Sequence, residues 1–119
     1  MSLILYVEDH PPARSLMQAI VQDLTSDRLI AVGTCAEARQ AAVRELPDLY
    51  VIDLDLPDGD GFALARELKK LHDAPAIITS AYDPSSVEPA RDLEYLYLRK
   101  PLDPDDVARI LQRTAARRG

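Results

Sequence analysis

The sequence predicts an α/β domain in which a parallel sheet of five strands carries helices on both faces. Four short apolar runs, at residues 3–7, 49–52, 76–78 and 96–98, are almost continuous rather than alternating. Continuous runs are typical of parallel strands that are buried on both faces. Segments with a helical spacing of apolar residues separate these runs, so that strands and helices alternate along the chain.

The first helix and the second strand follow the first apolar run. Pro11 and Pro12 suit a first helical turn, where a backbone N–H group has no partner within the helix. Apolar residues at three- and four-residue spacing then form a stripe that we expect to face the core. The stripe comprises Ala13, Leu16, Met17, Ile20, Val21 and Leu24. Residues 28–33 supply the remaining strand.

The second helix is predicted from the chemistry of its ends. Thr34 and Glu37 have the spacing of a capping box, in which each side chain accepts a hydrogen bond from backbone at the helix start. The helix should run to about Leu46, ahead of Pro47. Cys35, the single cysteine, cannot form an internal disulfide, and we expect a small buried thiol near the helix start.

The third helix follows a loop at residues 57–61, and the fourth helix is the least regular part of the pattern. The stripe of the third helix comprises Leu64, Ala65, Leu68 and Leu71. Residues 83–86 can begin a fourth helix, but Pro89 follows too soon for a long regular one. We therefore expect the fourth helix to be short or irregular.

The last helix has the clearest signals. Asp103 is placed to cap it, and Pro104 falls in its first turn. Its apolar face comprises Val107, Ile110, Leu111 and Thr114.

The composition fits one cytoplasmic domain that comprises residues 1–119. A chain of 119 residues, 47% of them hydrophobic, can close a single core. No apolar run approaches the roughly 20 residues of a membrane span, and the first residues lack the pattern of a signal peptide. The formal net charge of −6 argues against direct binding to nucleic acid. We therefore expect neither a membrane nor a nucleic acid as a direct partner.

Chemically reactive side chains stand at the ends of the predicted strands. Glu8 and Asp9 follow the first apolar run, Asp53 follows the third strand, Ser80 follows the fourth, and Lys100 follows the fifth. Ligands of an open parallel sheet bind outside the carboxyl ends of its strands. We therefore expect these five side chains to share one crevice.

Three carboxylates in one crevice require a cation. Two carboxylates about 4 Å apart repel each other by about 4 kcal/mol at an effective dielectric constant of about 20. Mg²⁺ neutralises such a group and keeps room for phosphate oxygens, while Lys100 adds a compact positive charge. Ser80 offers a hydroxyl donor, and Asp53 is the central carboxylate that could form an acyl phosphate. The site is therefore typical of phosphoryl transfer.

Five dispersed segments together resemble the receiver domains of bacterial response regulators of the chemotaxis-regulator type, which act in two-component signalling. The segments are Val7-Glu8-Asp9, the stretch 53–61, the stretch 80–83, Tyr97, and Lys100-Pro101 with an expected cis peptide bond. The resemblance covers essentially the whole chain. It implies a doubly wound, flavodoxin-like sheet with the strand order 2-1-3-4-5.

The resemblance also implies roles for individual residues. Asp53 would accept a phosphoryl group from a histidine kinase or a histidine phosphotransfer protein. Asp9 and Asp53 would bind Mg²⁺ through their side chains, Asp55 through its main-chain carbonyl group, and Glu8 through water. Lys100 would pair with the phosphoryl group.

A second set of implied roles concerns switching and lifetime. Ser80, rather than its neighbour Thr79, would move toward the phosphoryl group, and Tyr97 would change its packing. This shift of populations would alter the face formed by the fourth helix, the fifth strand and the fifth helix. Asp55 and Tyr82 would set the rate of hydrolysis. A downstream protein effector would read the face, and a phosphorylation-dependent dimer is a further expected partner state.

Two other functional classes fit part of the pattern. Asp53 and Asp55 also form the Asp-x-Asp pair of Mg²⁺-dependent enzymes, similar to haloacid-dehalogenase phosphatases or, together with Glu8, to Toprim nucleases and primases. The chain could instead serve as a receiver-like binding module that is not phosphorylated. As a receiver it would be no enzyme beyond its own phosphorylation and dephosphorylation. His10 and His72 are expected at the surface, and a zinc site has little support.

Overall fold

The computed structural model describes residues 2–118, and it describes side-chain surroundings for residues 2–114. Within this part, five parallel strands form the central sheet. They are β1 (Leu3–Val7), β2 (Arg28–Val32), β3 (Leu49–Asp53), β4 (Ala76–Ser80) and β5 (Leu96–Arg99). Four α-helices accompany them: α1 (Pro11–Leu24), α2 (Cys35–Glu45), α3 (Gly61–Leu71) and α4 (Pro104–Arg118). None of the described helices is long and apolar enough to cross a membrane.

The strand order is β2-β1-β3-β4-β5, and every neighbouring pair is parallel. The order confirms the predicted doubly wound sheet. All five residues of β3 are buried, as its continuous apolar run predicts. One hydrophobic cluster joins one face of the sheet to α2 and α3, and a second joins the other face to α1 and α4. The core therefore lies on both faces of the sheet.

The predicted caps are present at two helix starts. The Thr34 hydroxyl accepts a hydrogen bond from the Glu37 N–H group at 3.1 Å, and the Glu37 carboxylate accepts one from the Gly33 N–H group at 3.1 Å. The Asp103 carboxylate accepts bonds from two backbone N–H groups in the first turn of α4, at 2.8 and 3.2 Å. Cys35 is buried at the start of α2, as predicted.

Three leucines of the predicted stripes are exposed, contrary to prediction. Leu16, Leu24 and Leu71 keep 40%, 53% and 48% of their surface accessible. Leu24 and Leu71 are the last residues of α1 and α3, and Leu16 lies at the edge of its stripe. A spacing pattern identifies a face of a helix, but it does not show how far the sheet extends beneath that face.

The connection between β4 and β5 contains no α-helix. Residues 81–95, here called the strap, hold only a single 3₁₀ turn at Pro84–Ser86. This confirms that the fourth helix is short or irregular, and it corrects the expectation of a face built on a fourth helix. Proline lacks a donor and obstructs the preceding turn, so that Pro84 and Pro89 leave little room for a regular helix between them.

Side chains of α3 hold the strap in place. The Arg66 guanidinium makes two hydrogen bonds to the Asp92 carboxylate, at 2.7 and 2.9 Å. The ring of Tyr95 lies 5.0 Å from that of Phe62, centroid to centroid. The Lys69 ammonium donates to a strap carbonyl at 3.2 Å. Two contacts between side chains and one hydrogen bond from a side chain to a backbone carbonyl group therefore hold the strap against α3.

Candidate functional site

Three acidic side chains meet at the carboxyl edge of the sheet. Glu8 and Asp9 directly follow β1, and Asp53 is the last residue of β3, the strand beside it. One carboxylate oxygen from each of the three lies within 4.8 Å of the others. Glu8 and Asp53 are buried, whereas Asp9 is exposed. The sheet thus gathers the three carboxylates that the sequence predicts to meet.

Lys100 joins this cluster from the end of β5. Its ammonium lies 3.1 Å from a carboxylate oxygen of Asp53 and forms a second ion pair with Glu8. Its N–H group donates to the Ser80 carbonyl at 2.7 Å, which continues the pairing of β4 and β5 by one residue. The peptide bond to Pro101 is cis, as expected.

Burial and charge act differently on the members of the cluster. Burial, followed by the negative charge of Glu8, raises the pKa of Asp53 to about 6, against the opposing effect of Lys100. Burial also acts to raise the pKa of Glu8, but its hydrogen bond and charge interaction with Lys100 lower it overall. Burial lowers the pKa of Lys100, and the two carboxylates more than reverse this. Of the two buried carboxyl groups, Asp53 is therefore the one whose ionised form a further cation would stabilise more.

The donor set fits Mg²⁺. Three carboxylates and one ammonium leave a formal charge of −2 when all are ionised. All the converging ligand atoms are oxygens, and two of the three carboxylates are shielded from solvent. Hard divalent cations prefer oxygen ligands and neutralise closely spaced carboxylates.

The loop after β3 is pinned between two helices. Its Asp55–Leu56 and Gly59–Asp60 segments form a short antiparallel ladder. The Asp58 carboxylate between them accepts hydrogen bonds from the N–H groups of Cys35, at 2.7 Å, and Ala36, at 3.2 Å, at the start of α2. These backbone bonds lower the pKa of Asp58. The Asp55 side chain is exposed, and it lies outside the carboxylate cluster.

The proposed switch residues are linked through the first residues of the strap. Ser80 is buried, and its hydroxyl oxygen accepts a hydrogen bond from the Tyr82 N–H group at 3.1 Å. The Tyr97 hydroxyl donates to the Tyr82 carbonyl at 2.9 Å. Thr79 is also buried but precedes Ser80 by one residue, so that its side chain points to the opposite face of the sheet. The switch roles of Ser80 and Tyr97 stay predictions.

The sequence patterns did not identify two residues that contact the site. Tyr6, two residues before Glu8 and on the same face of β1, is fully buried beneath the cluster. The alternation of side chains along β1 could have identified it. Arg14 in α1 donates to the Glu8 carbonyl at 2.7 Å, and no local pattern indicates that contact. Of the two histidines, His10 is exposed as expected, whereas His72 is partly buried.

Residues 4–112 match the family described as response regulator receiver domain. The chain belongs to this family. As a receiver domain it is a module of two-component signalling, and a two-component receiver implies a histidine kinase as its partner.

Relatives match nearly all of the chain. It is 37% identical over 115 residues to an uncharacterized 14.6 kDa protein of Leptolyngbya boryana, covering 92% of this chain and 86% of that protein. A receiver domain protein of Methanospirillum hungatei superposes with a TM-score of 0.89 at 21% identity, covering 99% and 96% of the two chains. The receiver domain of the sensor histidine kinase PA1611 of Pseudomonas aeruginosa, crystallised with magnesium in its active site cleft, has a TM-score of 0.81 at 28% identity and covers 97% and 98%. The chain spans only 46% of the sensory transduction protein LytT of Bacillus anthracis.

Proposed function

We propose that residues 1–119 form one phosphoacceptor domain that takes a phosphoryl group from a phosphohistidine onto Asp53. The donor is a histidine kinase or a histidine phosphotransfer protein. The supporting observation is the position of the Asp53 carboxylate, which lies beside two other carboxylates and 3.1 Å from the Lys100 ammonium. A carboxylate in this setting can attack phosphorus, because cations on either side neutralise the charge that phosphoryl transfer gathers there.

In the transfer, a bond forms between a carboxylate oxygen of Asp53 and phosphorus while the phosphorus–nitrogen bond of the donor breaks. The donor imidazole takes up a proton as it leaves. Lys100 holds the incoming phosphoryl oxygens by charge. The side chains of Asp9 and Asp53, the carbonyl group of Asp55 and, through water, Glu8 would hold Mg²⁺, which supplies positive charge to the phosphoryl group when bound.

Switching begins at Ser80. A hydroxyl that turns toward the phosphoryl group gives up its hydrogen bond from the Tyr82 N–H group, and Tyr97, whose hydroxyl donates to the Tyr82 carbonyl, changes its packing. The change therefore enters the strap at its first residues and shifts the population between two arrangements of the strap, β5 and α4. A downstream protein effector would read this surface, and a phosphorylation-dependent dimer could form on it.

The lifetime of the phosphoryl group depends on the exposed residues around it. Asp55 and Tyr82 are both exposed and follow Asp53 and Ser80 by two residues, and we propose that they admit or obstruct the attacking water. Apart from its own phosphorylation and dephosphorylation, the domain turns over no substrate. The Asp-x-Asp enzyme hypothesis has less support, because the Asp55 carboxylate does not join the cluster of Glu8, Asp9 and Asp53.

Intact-mass analysis after incubation with acetyl phosphate and Mg²⁺ tests the proposal. We expect the parent to gain the mass of one phosphoryl group and the Asp53→Asn protein to gain none. Asp48→Asn is the control, because Asp48 is exposed at the opposite end of β3. An adduct retained by Asp53→Asn would overturn the assignment of the acceptor. Steady hydrolysis of acetyl phosphate with no adduct in the parent would favour an enzyme instead.

A further inference from the structure

The middle of the loop after β3 is joined to the start of α2 by two contacts. The Asp58 carboxylate accepts hydrogen bonds from the N–H groups of Cys35, at 2.7 Å, and Ala36, at 3.2 Å, across 23 and 22 residues of sequence. The loop also lies close to the helix beside these bonds, because a Cβ atom at Gly59 would lie 3.0 Å from the Cys35 Sγ atom. The first N–H groups of a helix have no partner within it, and the helix dipole favours a negative charge there. Asp58 therefore connects the loop to a helix that contributes none of the clustered carboxylates.

The position of Asp58 in the loop relates it to the backbone of Asp55. The Asp55–Leu56 and Gly59–Asp60 segments form an antiparallel ladder, and Asp58 lies in the turn that connects them. A ladder of two residues on each side is marginal by itself, because isolated hairpins are barely stable in water. The arrangement of the Asp55 backbone therefore depends on what holds the turn.

The two ends of the loop are fixed by other contacts. The Gly61 N–H group donates to the Leu54 carbonyl at 2.8 Å, and the Asp60 carboxylate accepts a bond from the Ala63 N–H group at 3.0 Å. These bonds secure the loop where it leaves β3 and where it enters α3. The bonds from α2 to Asp58 secure the turn between those ends.

We propose that Asp58 is a positioning residue of the metal site, whose hydrogen bonds to α2 keep the loop in the arrangement in which the Asp55 carbonyl group reaches Mg²⁺. The inference rests on the proposed function, in which this carbonyl group is a ligand of the ion. Without the bonds to α2 the loop adopts other arrangements as well, and the apparent affinity for Mg²⁺ falls with the fraction that is competent to bind. The coupling is reciprocal, so that bound Mg²⁺ strengthens the contact between the loop and α2.

Three variants separate positioning from charge and from general stability. Asp58→Ala removes both hydrogen bonds, whereas Asp58→Asn removes the same charge and keeps an oxygen that accepts one bond. Thr34→Ala is the control at the same end of α2, because it removes the hydroxyl that accepts the bond from the Glu37 N–H group. Calorimetric titration at a fixed pH gives the Kd for Mg²⁺ of the parent and each variant. Hydrogen exchange of the Cys35 N–H group is measured in the parent with and without Mg²⁺.

The variants should differ in their affinity for Mg²⁺. Asp58→Ala should raise the Kd about fivefold, the factor by which the loss of one helix cap shifts an equilibrium. Asp58→Asn should raise it less, because one bond to α2 remains. Thr34→Ala should bind Mg²⁺ like the parent, even where its own stability is lower. In the parent, Mg²⁺ should slow the exchange of the Cys35 N–H group.

Three results would overturn the inference. They are a Kd of Asp58→Ala equal to that of the parent, an equal rise in Asp58→Ala and Asp58→Asn, which would trace the effect to the lost charge, and an equal rise in Thr34→Ala, which would trace it to the stability of α2. The proposed function fails in a different way. A parent that binds Mg²⁺ but gains no phosphoryl group on Asp53 from acetyl phosphate would refute it, while the response of Asp58→Ala would still support the role of Asp58 at the metal site.

Discussion

Gly61 lies where a side chain would collide with the backbone of the proposed acceptor. A Cβ atom at this position would lie 2.5 Å from the Asp53 carbonyl oxygen and 2.7 Å from the Leu54 Cα atom. The Gly61 N–H group also donates to the Leu54 carbonyl at 2.8 Å, so that the start of α3 cannot easily move away. The Gly61→Ala substitution must therefore displace the end of β3 or the first turn of α3.

The size of the effect follows from these distances. Cβ atoms essentially never approach other atoms within 3.0 Å, so the 2.5 Å contact must open by at least 0.5 Å, the difference between the two. Overpacking of this kind destabilises proteins by about 1–3 kcal/mol. For a domain of this size, about 2 kcal/mol lowers the melting temperature by about 6–12 °C. A displaced Asp53 should also accept phosphate about tenfold more slowly, because transfer requires close alignment.

Gly33→Ala is the control for this substitution. A Cβ atom at Gly33 would lie 3.3 Å from the Arg14 guanidinium nitrogen that donates to the Glu8 carbonyl, and this milder contact is relieved by a shift of a few tenths of an ångström. Thermal unfolding by circular dichroism and time-resolved intact-mass analysis with acetyl phosphate measure the two effects. We expect Gly33→Ala to lose clearly less stability than Gly61→Ala, because its closest contact is 3.3 Å rather than 2.5 Å. If Gly61→Ala has the stability and the phosphorylation rate of the parent, the reasoning from close approach is refuted.

Three further predictions concern the charges of the site. Lys100→Met should destabilise the metal-free protein by about 3 kcal/mol, because it leaves the Glu8 and Asp53 carboxylates buried without their ammonium partner. Mg²⁺ should restore part of the lost stability. Urea denaturation with and without Mg²⁺ measures both effects, and an unchanged stability of the metal-free variant would contradict the prediction. Because the pKa of Asp53 is raised to about 6, the metal-free carboxyl group holds a proton below that pH and Mg²⁺ must displace it. Calorimetric titration should therefore give a Kd that rises about tenfold per pH unit below about 6 and is flat above it, and a Kd independent of pH below 6 would disprove this. Asp58→Ala should lower the melting temperature, because it removes the acceptor for the Cys35 N–H group. Asp58→Asn should restore part of the loss, since its carboxamide oxygen still accepts one bond. Equal melting temperatures for the parent and Asp58→Ala would show that this hydrogen bond does not stabilise the fold.

The features that could be predicted from the sequence are those that nearby residues determine. Each strand is specified by its own apolar run, and the caps at Thr34 and Asp103 involve residues two or three positions apart. The carboxylate cluster could be predicted because the parallel sheet itself brings strand ends together. The topology of the sheet alone places Glu8 and Asp53 at its carboxyl edge, whatever the packing of the side chains around them.

The features that escaped prediction depend on residues far apart in the chain. The bond from the Cys35 N–H group to Asp58 spans 23 residues, and that from Arg66 to Asp92 spans 26. The exposure of Leu16 depends on how the sheet lies beneath α1, which the spacing of apolar residues does not encode.

The strap between β4 and β5 gives this surface an unusual freedom to diverge. A helix in that place would be specified largely by its own backbone ladder, whereas the strap takes its course from apolar residues such as Ala90 that pack on the core and from partners on α3 such as the guanidinium of Arg66. Exchanging those partners would redraw the outline offered to other molecules without disturbing a single strand. Specificity for the proposed effector would then evolve in α3, at some distance from the residues proposed to carry the phosphoryl chemistry.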